Sequence, residues 1–505
     1  PRHHLPVSIE GVKEGDFTMV FGFPGSTDRY RTSFGIQQAL DKTNNAVVDV
    51  RDVKLAIMRE YMDADPAMRI ALASKYAQTA NYWKYFQGQS EQLRRNRVYN
   101  KKRKIEDDFR QWVSGLSDAK EREHFGQALK LIESSYSTSD KYAVTEIYAR
   151  EAGLSGAGIW LFALRGAFTL DRYFQMESEF AAKIKAEKDK AKKAELIQQR
   201  DAVLGQIKAA LEASAADHFE DYHAEMDQRM VDELLYLYSK NVDAGVHPDF
   251  FASVVAKRYK GDFSRFAADL FSKSIFADKD RFMKFMAKPK QKTLERDLAY
   301  TASKDLYAAY QYGANNHPEA EANKNKGYRI FVEGLRRMQP DRKFYPDANS
   351  TLRLTWGTVG SYHPRDGAFY DFFTTHQGIL QKENPNDPEF VVDEKLLTLL
   401  RNRDFGPYAN ENGDLVVNFI SNNDITGGNS GSPVINGKGH LIGCAFDGNW
   451  EAMSGDIFFE DKIQRTISVD ARYILFIIDK YAGAKNIIDE ITIISGDEST
   501  AVSAK

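Results

Sequence analysis

Eight residues near the C-terminal end, Thr426-Gly427-Gly428-Asn429-Ser430-Gly431-Ser432-Pro433, combine the groups that acyl transfer requires. That chemistry needs a serine hydroxyl as nucleophile and, beside it, free backbone N–H groups to receive the negative oxygen of a tetrahedral intermediate. Ser430 is the candidate nucleophile. The glycines at 427, 428 and 431 permit backbone angles that a side chain would forbid and let a substrate come close. A bare Gly-x-Ser-Gly would read as a hairpin connection without chemistry. The complete string, followed by a strand-turn-strand pattern, favours the nucleophile.

Composition bounds the setting of this loop. With 505 residues the chain is too long for one core and suggests roughly two to four units. A net charge of −3, with 28% charged and 42% hydrophobic residues, gives no global pull toward nucleic acid or an anionic membrane, so a partner has to be argued from a site. No run of eighteen apolar residues occurs, so no membrane span is expected. Cys444 is the only cysteine, which rules out a disulfide framework and a cysteine-rich zinc site. The chemistry expected of Ser430 needs neither cofactor nor metal. The opening Pro1-Arg2-His3-His4 lacks an initiator methionine and an apolar signal core, and it reads as an internal start with a segment missing upstream.

The elements that must carry the loop can be read from proline spacing and alternation. Asp16 to Gly22 reads as a strand closing on the turn Phe23-Pro24-Gly25. The string Gly22 to Thr27 lacks the Gly-Lys-Ser/Thr ending of a phosphate loop, so it is read as a plain turn. Between Pro66 and Pro248 there is no proline, and Ala, Lys, Glu, Gln, Leu and Arg dominate with apolar residues three and four apart, which predicts helix. Within it, Phe180 to Leu211 reads as a long hairpin arm whose charge run, Lys183 to Arg200, is a solvated face. Helices are expected again over 250–312 and 326–338. After Tyr345-Pro346-Asp347 come strand-like pieces at 351–355, 415–420, 432–435 and 441–446, with Asn436-Gly437 as a tight hairpin signal between the last two. A closing helix is expected over 474–481 and an apolar end piece over 487–494, followed by a loose polar tail at 496–505.

A serine nucleophile needs a base, almost always a histidine, oriented by a carboxylate. In trypsin-type chains these come in the order His, Asp, Ser. Here His124, His218, His223 and His247 fall in the helical stretch and His317 in a loop-like one, while His363, His376 and His440 lie too near Ser430 in sequence for that order. His3 and His4 sit in an irregular lead-in. Each is better read as a solvated or core histidine, which places the base and its carboxylate upstream of Pro1.

The chain resembles the bacterial dipeptidyl peptidase 7 and dipeptidyl peptidase 11 family of serine peptidases, from about residue 7 to about residue 490. The resemblance is carried by Gly15 to Val20 with Gly22-Phe23-Pro24-Gly25, by Asn81-Tyr82-Trp83-Lys84, by Asp424 to Pro433, and by Phe446-Asp447-Gly448-Asn449-Trp450-Glu451. It implies an α+β, multi-domain fold: a trypsin-like double β-barrel, here with its first barrel mostly missing, and a large all-α inserted cap. The implied divisions are a barrel remnant at 1–45, the cap at 46–344 and the second barrel, with its terminal helix, at 345–495. The family's catalytic His and Asp lie before the position matching Pro1, so this chain alone is expected to be inactive.

Residue by residue, the resemblance makes Ser430 the nucleophile and the N–H groups of Gly428 and Ser430 the oxyanion hole. Asn81 and Asp447 would bind the free amino terminus of a peptide. Two extended residues place such an anion about 7 Å from the scissile carbonyl, the reach an exopeptidase needs. Gly448 stands where the branch cleaving after Asp or Glu has an arginine, which implies cleavage after a hydrophobic second residue. Asp424, six residues before Ser430, has the spacing of a trypsin-like carboxylate for Lys or Arg. A structural role is favoured for it, because family members share the string without that specificity. The expected function is release of dipeptides from oligopeptides through an acyl-enzyme on Ser430, in a periplasmic or cell-surface homodimer. The alternatives are a catalytically incompetent peptide-binding fragment and an endopeptidase of the same fold.

Overall fold

The computed structural model describes residues 3–496, and these form two compact units mixing helix and sheet. One takes the described residues up to Ser33, Gly88–Ile105 and those from Leu335 onward; the other takes Phe34–Gln87 and Glu106–Gly334. Apart from Gly496, the expected polar tail lies outside the described residues.

The second unit is helical, as the proline-free stretch between Pro66 and Pro248 and its helix-forming composition require. Its long helices include Asn44–Ala64, Gly158–Ala186, Lys190–His218, Ala224–Asn241 and Leu298–Asn315. They enclose an apolar core in which Trp160, Tyr148 and Tyr238 are fully buried. Aspartates start several of them: Asp189 accepts from Lys192 N at 2.9 Å, and Asp297 accepts from Ala299 N and Tyr300 N at 2.9 and 3.1 Å. Such caps satisfy N–H groups that have no partner inside the helix. The charged arm is two helices broken at 187–189, and its charged face is largely solvated. Among the described residues no single helix is long and apolar enough to cross a membrane.

The first unit carries eleven short strands: β1 Val7–Ser8, β2 Phe17–Gly22, β3 Arg353–Thr358, β4 Tyr362–Arg365, β5 Ala368–Tyr370, β6 Phe373–Thr375, β7 Val416–Ser421, β8 Pro433–Ile435, β9 Leu441–Gly448, β10 Thr466–Asp470 and β11 Ile493–Ile494. Nine form one sheet in the order β3-β2-β8-β9-β10-β7-β6, with β1 joined in parallel to β9 and β11. Val20, Phe419, Val434, Ile442 and Ala445 bury its inner face. A second cluster, with Leu400, Phe405, Tyr408, Leu415, Leu475 and Phe476, packs the closing helix Ala471–Phe476.

Two local expectations shift. The strand expected at 351–355 begins at Arg353, because Ser350 sits at φ 64° and Arg353 donates to Pro346 O, Asp347 O and the Asn349 side chain, which holds 346–352 as a turn. The connection after β8 is not a two-residue Asn-Gly turn. Asn436 N donates to His440 O, the Asn436 side chain accepts from Lys438 N and His440 N, and Gly439 at φ 81° is the left-handed residue. The asparagine side chain closes a longer loop in place of a tight backbone turn.

Candidate active site

The Ser430 loop connects β7 to β8, so sheet hydrogen bonding fixes both of its ends. Its root is held by Asn423, whose buried side chain accepts from Thr18 Oγ1 at 2.6 Å and Ser421 Oγ at 2.7 Å and donates to Thr355 O at 3.2 Å. At its tip Gly427, Gly428 and Ser430 are exposed while Asn429 points inward. Asn429 donates from its side chain to Thr426 O at 3.1 Å, and its own carbonyl accepts from Ser432 N at 3.0 Å. Gly431 N then donates to Ala445 O at 2.8 Å, docking the loop on β9.

These bonds orient two donors. A trans peptide points its C=O and N–H in opposite directions. Gly427 O accepts from Gly25 N at 2.7 Å and Asn429 O from Ser432 N, so the N–H groups of Gly428 and Ser430 are turned the other way. Among the described residues neither donates to any acceptor. Gly428 has φ 102°, and a Cβ there would stand 2.4 Å from Phe23 O, so only glycine fits. Ser430 Oγ donates to Phe446 O at 3.2 Å. The arrangement can present a hydroxyl and two free amide donors to one carbonyl group.

Directly after Phe446, Asp447 is exposed at the end of β9. One of its oxygens accepts from Gly448 N at 2.8 Å, and no cation among the described residues pairs with it. A Cβ on Gly448 would meet Ala452 Cβ at 3.0 Å, so a larger residue here needs the short helix Trp450–Ser454 to give way. That helix is anchored by a network the sequence reading gave no role. Glu451 accepts from Tyr362 OH and Asn449 Nδ2, both at 2.9 Å, and Asn449 also accepts from Arg465 N. Burial, with the Glu451 carboxylate beside it, pushes the Tyr362 hydroxyl up to about 12. Only the motif Asn449-Trp450-Glu451 hinted at this, since Tyr362 and Arg465 lie far away in sequence.

Asn81 lies exposed on the helix Pro66–Arg95, in the part belonging to the helical unit; Ser430, Gly428, Asp447 and Gly448 all belong to the β unit. The structure therefore brings four of the five together in one compact body.

No histidine among the described residues bonds Ser430. His218 stacks on Phe162, His223 accepts from Met226 N at a helix start, His247 contacts Val242 O, and His363 contacts Ala368 O. Among the described residues His376 is the most enclosed histidine, 1% exposed, against Phe405, with Nδ1 making no hydrogen bond and Asp414 Oδ1 3.9 Å away. Burial lowers its pKa from the ordinary 6.5, despite Asp414 nearby. Below pH 6.5 the unfolded chain therefore binds a proton that the folded chain resists, and stability falls as pH drops through that window. His376→Leu is expected to shift the midpoint of acid unfolding, followed by tryptophan fluorescence, to lower pH.

Asp424 is already engaged. Its two oxygens accept from Arg29 Nη1 and Nη2, both at 2.7 Å, with the Arg29 side chain only 9% exposed. A carboxylate neutralised by a bidentate, partly buried guanidinium is not available to a substrate cation. Removing it strands a buried charge. Asp424→Asn is therefore expected to cost about 3 kcal/mol in urea unfolding without creating or removing any preference for Lys or Arg substrates.

A model of the family described as peptidase S46 matches residues 1–493. Dipeptidyl-peptidase 7 of Porphyromonas gingivalis is 40% identical over 503 residues, covering 98% of this chain and 65% of that protein. An Asp/Glu-specific dipeptidyl-peptidase of Flavobacterium psychrophilum is 35% identical over 498 residues, with the same two coverages of 98% and 65%. The crystal structure of Porphyromonas endodontalis DPP11 in complex with the dipeptide Arg-Glu superposes with a TM-score of 0.84 at 30% identity, over 98% of this chain and 67% of that one. The chain thus spans about 65% of the length of these two relatives. It belongs to the peptidase S46 family.

Proposed function

We propose that Ser430 is the nucleophile of a serine-type dipeptidyl aminopeptidase that removes dipeptides from the free amino terminus of oligopeptides. The observation that carries this reading is the exposed Ser430 hydroxyl flanked by the N–H groups of Gly428 and Ser430, which have no acceptor among the described residues. Ser430 Oγ attacks the carbonyl of the second residue, its proton passes to a base, and the peptide C–N bond breaks to leave an acyl-enzyme that water hydrolyses. The resemblance assigns that base to a histidine, oriented by an aspartate, before the position matching Pro1. Asp447, which pairs with no cation among the described residues, meets the α-ammonium group and sets the count at two residues.

Gly448 brings no charge to the second residue of the substrate, which favours a hydrophobic side chain there. On this reading the β unit is one barrel of a trypsin-like pair, and the protein works as a homodimer in the periplasm or at the cell surface. A panel of fluorogenic dipeptidyl substrates differing in the second residue tests the assignment. Faster turnover of hydrophobic than of acidic or basic residues is expected; preference for Asp, Glu, Lys or Arg would overturn it.

One observation favours a second reading, peptide binding without hydrolysis: Ser430 Oγ donates to a backbone carbonyl, and no histidine among the described residues bonds it. A fluorophosphonate separates the two, since only an activated hydroxyl reacts.

A further inference from the structure

The turn Gly22-Phe23-Pro24-Gly25, read from sequence as a plain connection, packs on the back of the Ser430 loop. Gly25 N–H is the donor that holds Gly427 O at 2.7 Å. Phe23 O and Gly25 N lie where a Cβ on Gly428 would fall, at 2.4 and 2.9 Å. Gly22 faces the buried side of the same loop: a Cβ there would stand 2.1 Å from Asn429 Oδ1 and 2.6 Å from Ser432 Oγ. Gly22 lies in a strand without positive φ, so conformation does not demand glycine; the space does. The turn therefore touches both peptides whose N–H groups face the substrate, each through the carbonyl or side chain on its other side.

From this geometry we infer that the Gly22–Gly25 turn sets the oxyanion hole, with Gly25 N–H latching the Gly427–Gly428 peptide and Gly22 leaving the slot that seats Asn429. Gly22 and Gly25 are positioning residues, since they act only through Gly427, Gly428 and Asn429. Released from Gly25, the Gly427–Gly428 peptide is free to rotate, and rotation turns the Gly428 N–H away from the developing oxyanion. Loss of one such donor typically costs about 10²–10³ in kcat. The cost falls on the transition state, because the trigonal carbonyl of the bound substrate needs the donors less than the tetrahedral oxyanion does.

The inference rests on the peptidase reading above, and it is tested with two variants of graded severity in a protein that joins this chain to the histidine and aspartate the resemblance assigns. Gly22→Ala drives a methyl into Asn429 and is expected to lower kcat at least 100-fold. Gly25→Ala places a Cβ 3.1 Å from the Gly427 oxygen it must hold, a milder crowding expected to lower kcat about 10-fold while the fold survives. In both, KM and the Kd of a product dipeptide stay within twofold. Affinity for a dipeptide aldehyde, whose adduct carries the oxyanion, falls in parallel with kcat. Asn429→Gly empties the slot, so adding Gly22→Ala to it should cost far less than Gly22→Ala alone. If Gly22→Ala does not fold, Gly25→Ala decides. Folded variants with unchanged kcat, or with a raised KM and unchanged kcat, would overturn the inference alone, whereas an unmutated parent that carries that histidine and aspartate and still neither turns over substrate nor is labelled at Ser430 overturns both.

Discussion

Ser430→Ala, made in a protein that carries the histidine and aspartate the resemblance assigns, is expected to abolish dipeptide release, with kcat falling on the order of 10⁵–10⁶-fold while a product dipeptide binds with unchanged affinity. The asymmetry follows from where the hydroxyl sits. Ser430 is exposed and makes one hydrogen bond, to Phe446 O, so its removal leaves the loop's own anchors intact. Asn429, Gly431 and Ser432 still hold the loop to Thr426 and Ala445. Thermal stability should change little, and loss of activity can then be assigned to the missing nucleophile. Residual turnover close to that of the parent would mean that another group attacks the substrate.

Asp447→Asn carries the second largest expected effect. The substitution keeps the shape of the side chain and its bond from Gly448 N, but removes the charge that meets an α-ammonium group. Truncating one partner of a desolvated charge pair costs about 3 kcal/mol, or on the order of 100-fold in kcat/KM. The diagnostic comparison uses Nα-acetylated peptides, which bear no ammonium. Their slow cleavage should be the same in parent and variant, so the preference for free amino termini collapses. Equal losses on free and blocked peptides would assign Asp447 to loop structure instead.

Much of the site could be read before any coordinates, because it is local. Thr426 to Pro433 announces itself by residue type and spacing, and its strand neighbours at 416–421, 433–435 and 441–448 fall close to where alternation puts them. The helical stretch is equally legible, since a long proline-free run of helix formers has few other outcomes. Strands β4 to β6 span three or four residues each, too few to show a period. What stayed hidden is the pairing of distant residues. Nothing near Asp424 says that Arg29, 395 positions away, takes both of its oxygens, and that contact removes the trypsin-like reading of Asp424. Likewise, nothing in Gly22-Phe23-Pro24-Gly25 says that it braces the loop of Gly427 and Gly428. Local patterns specify turns and periods; which turn closes on which loop is decided by the assembled sheet.

The glycines illustrate the same division. Gly428 could be suspected from sequence, as glycine beside a nucleophile usually serves close approach. Gly22 could not, since a glycine in a strand more often marks a bulge. Only the position of Asn429 Oδ1, 2.1 Å from where a Cβ would lie, shows why the residue is small.

The central claim is that Ser430 is an activated nucleophile, and reaction with a fluorophosphonate followed by peptide mapping tests it most directly. The expected result is a single phosphonyl adduct on Ser430, absent in Ser430→Ala and suppressed by a competing dipeptide substrate. An unmodified Ser430 under conditions that label other serine hydrolases to completion, in a protein that joins this chain to the histidine and aspartate the resemblance assigns, would contradict it.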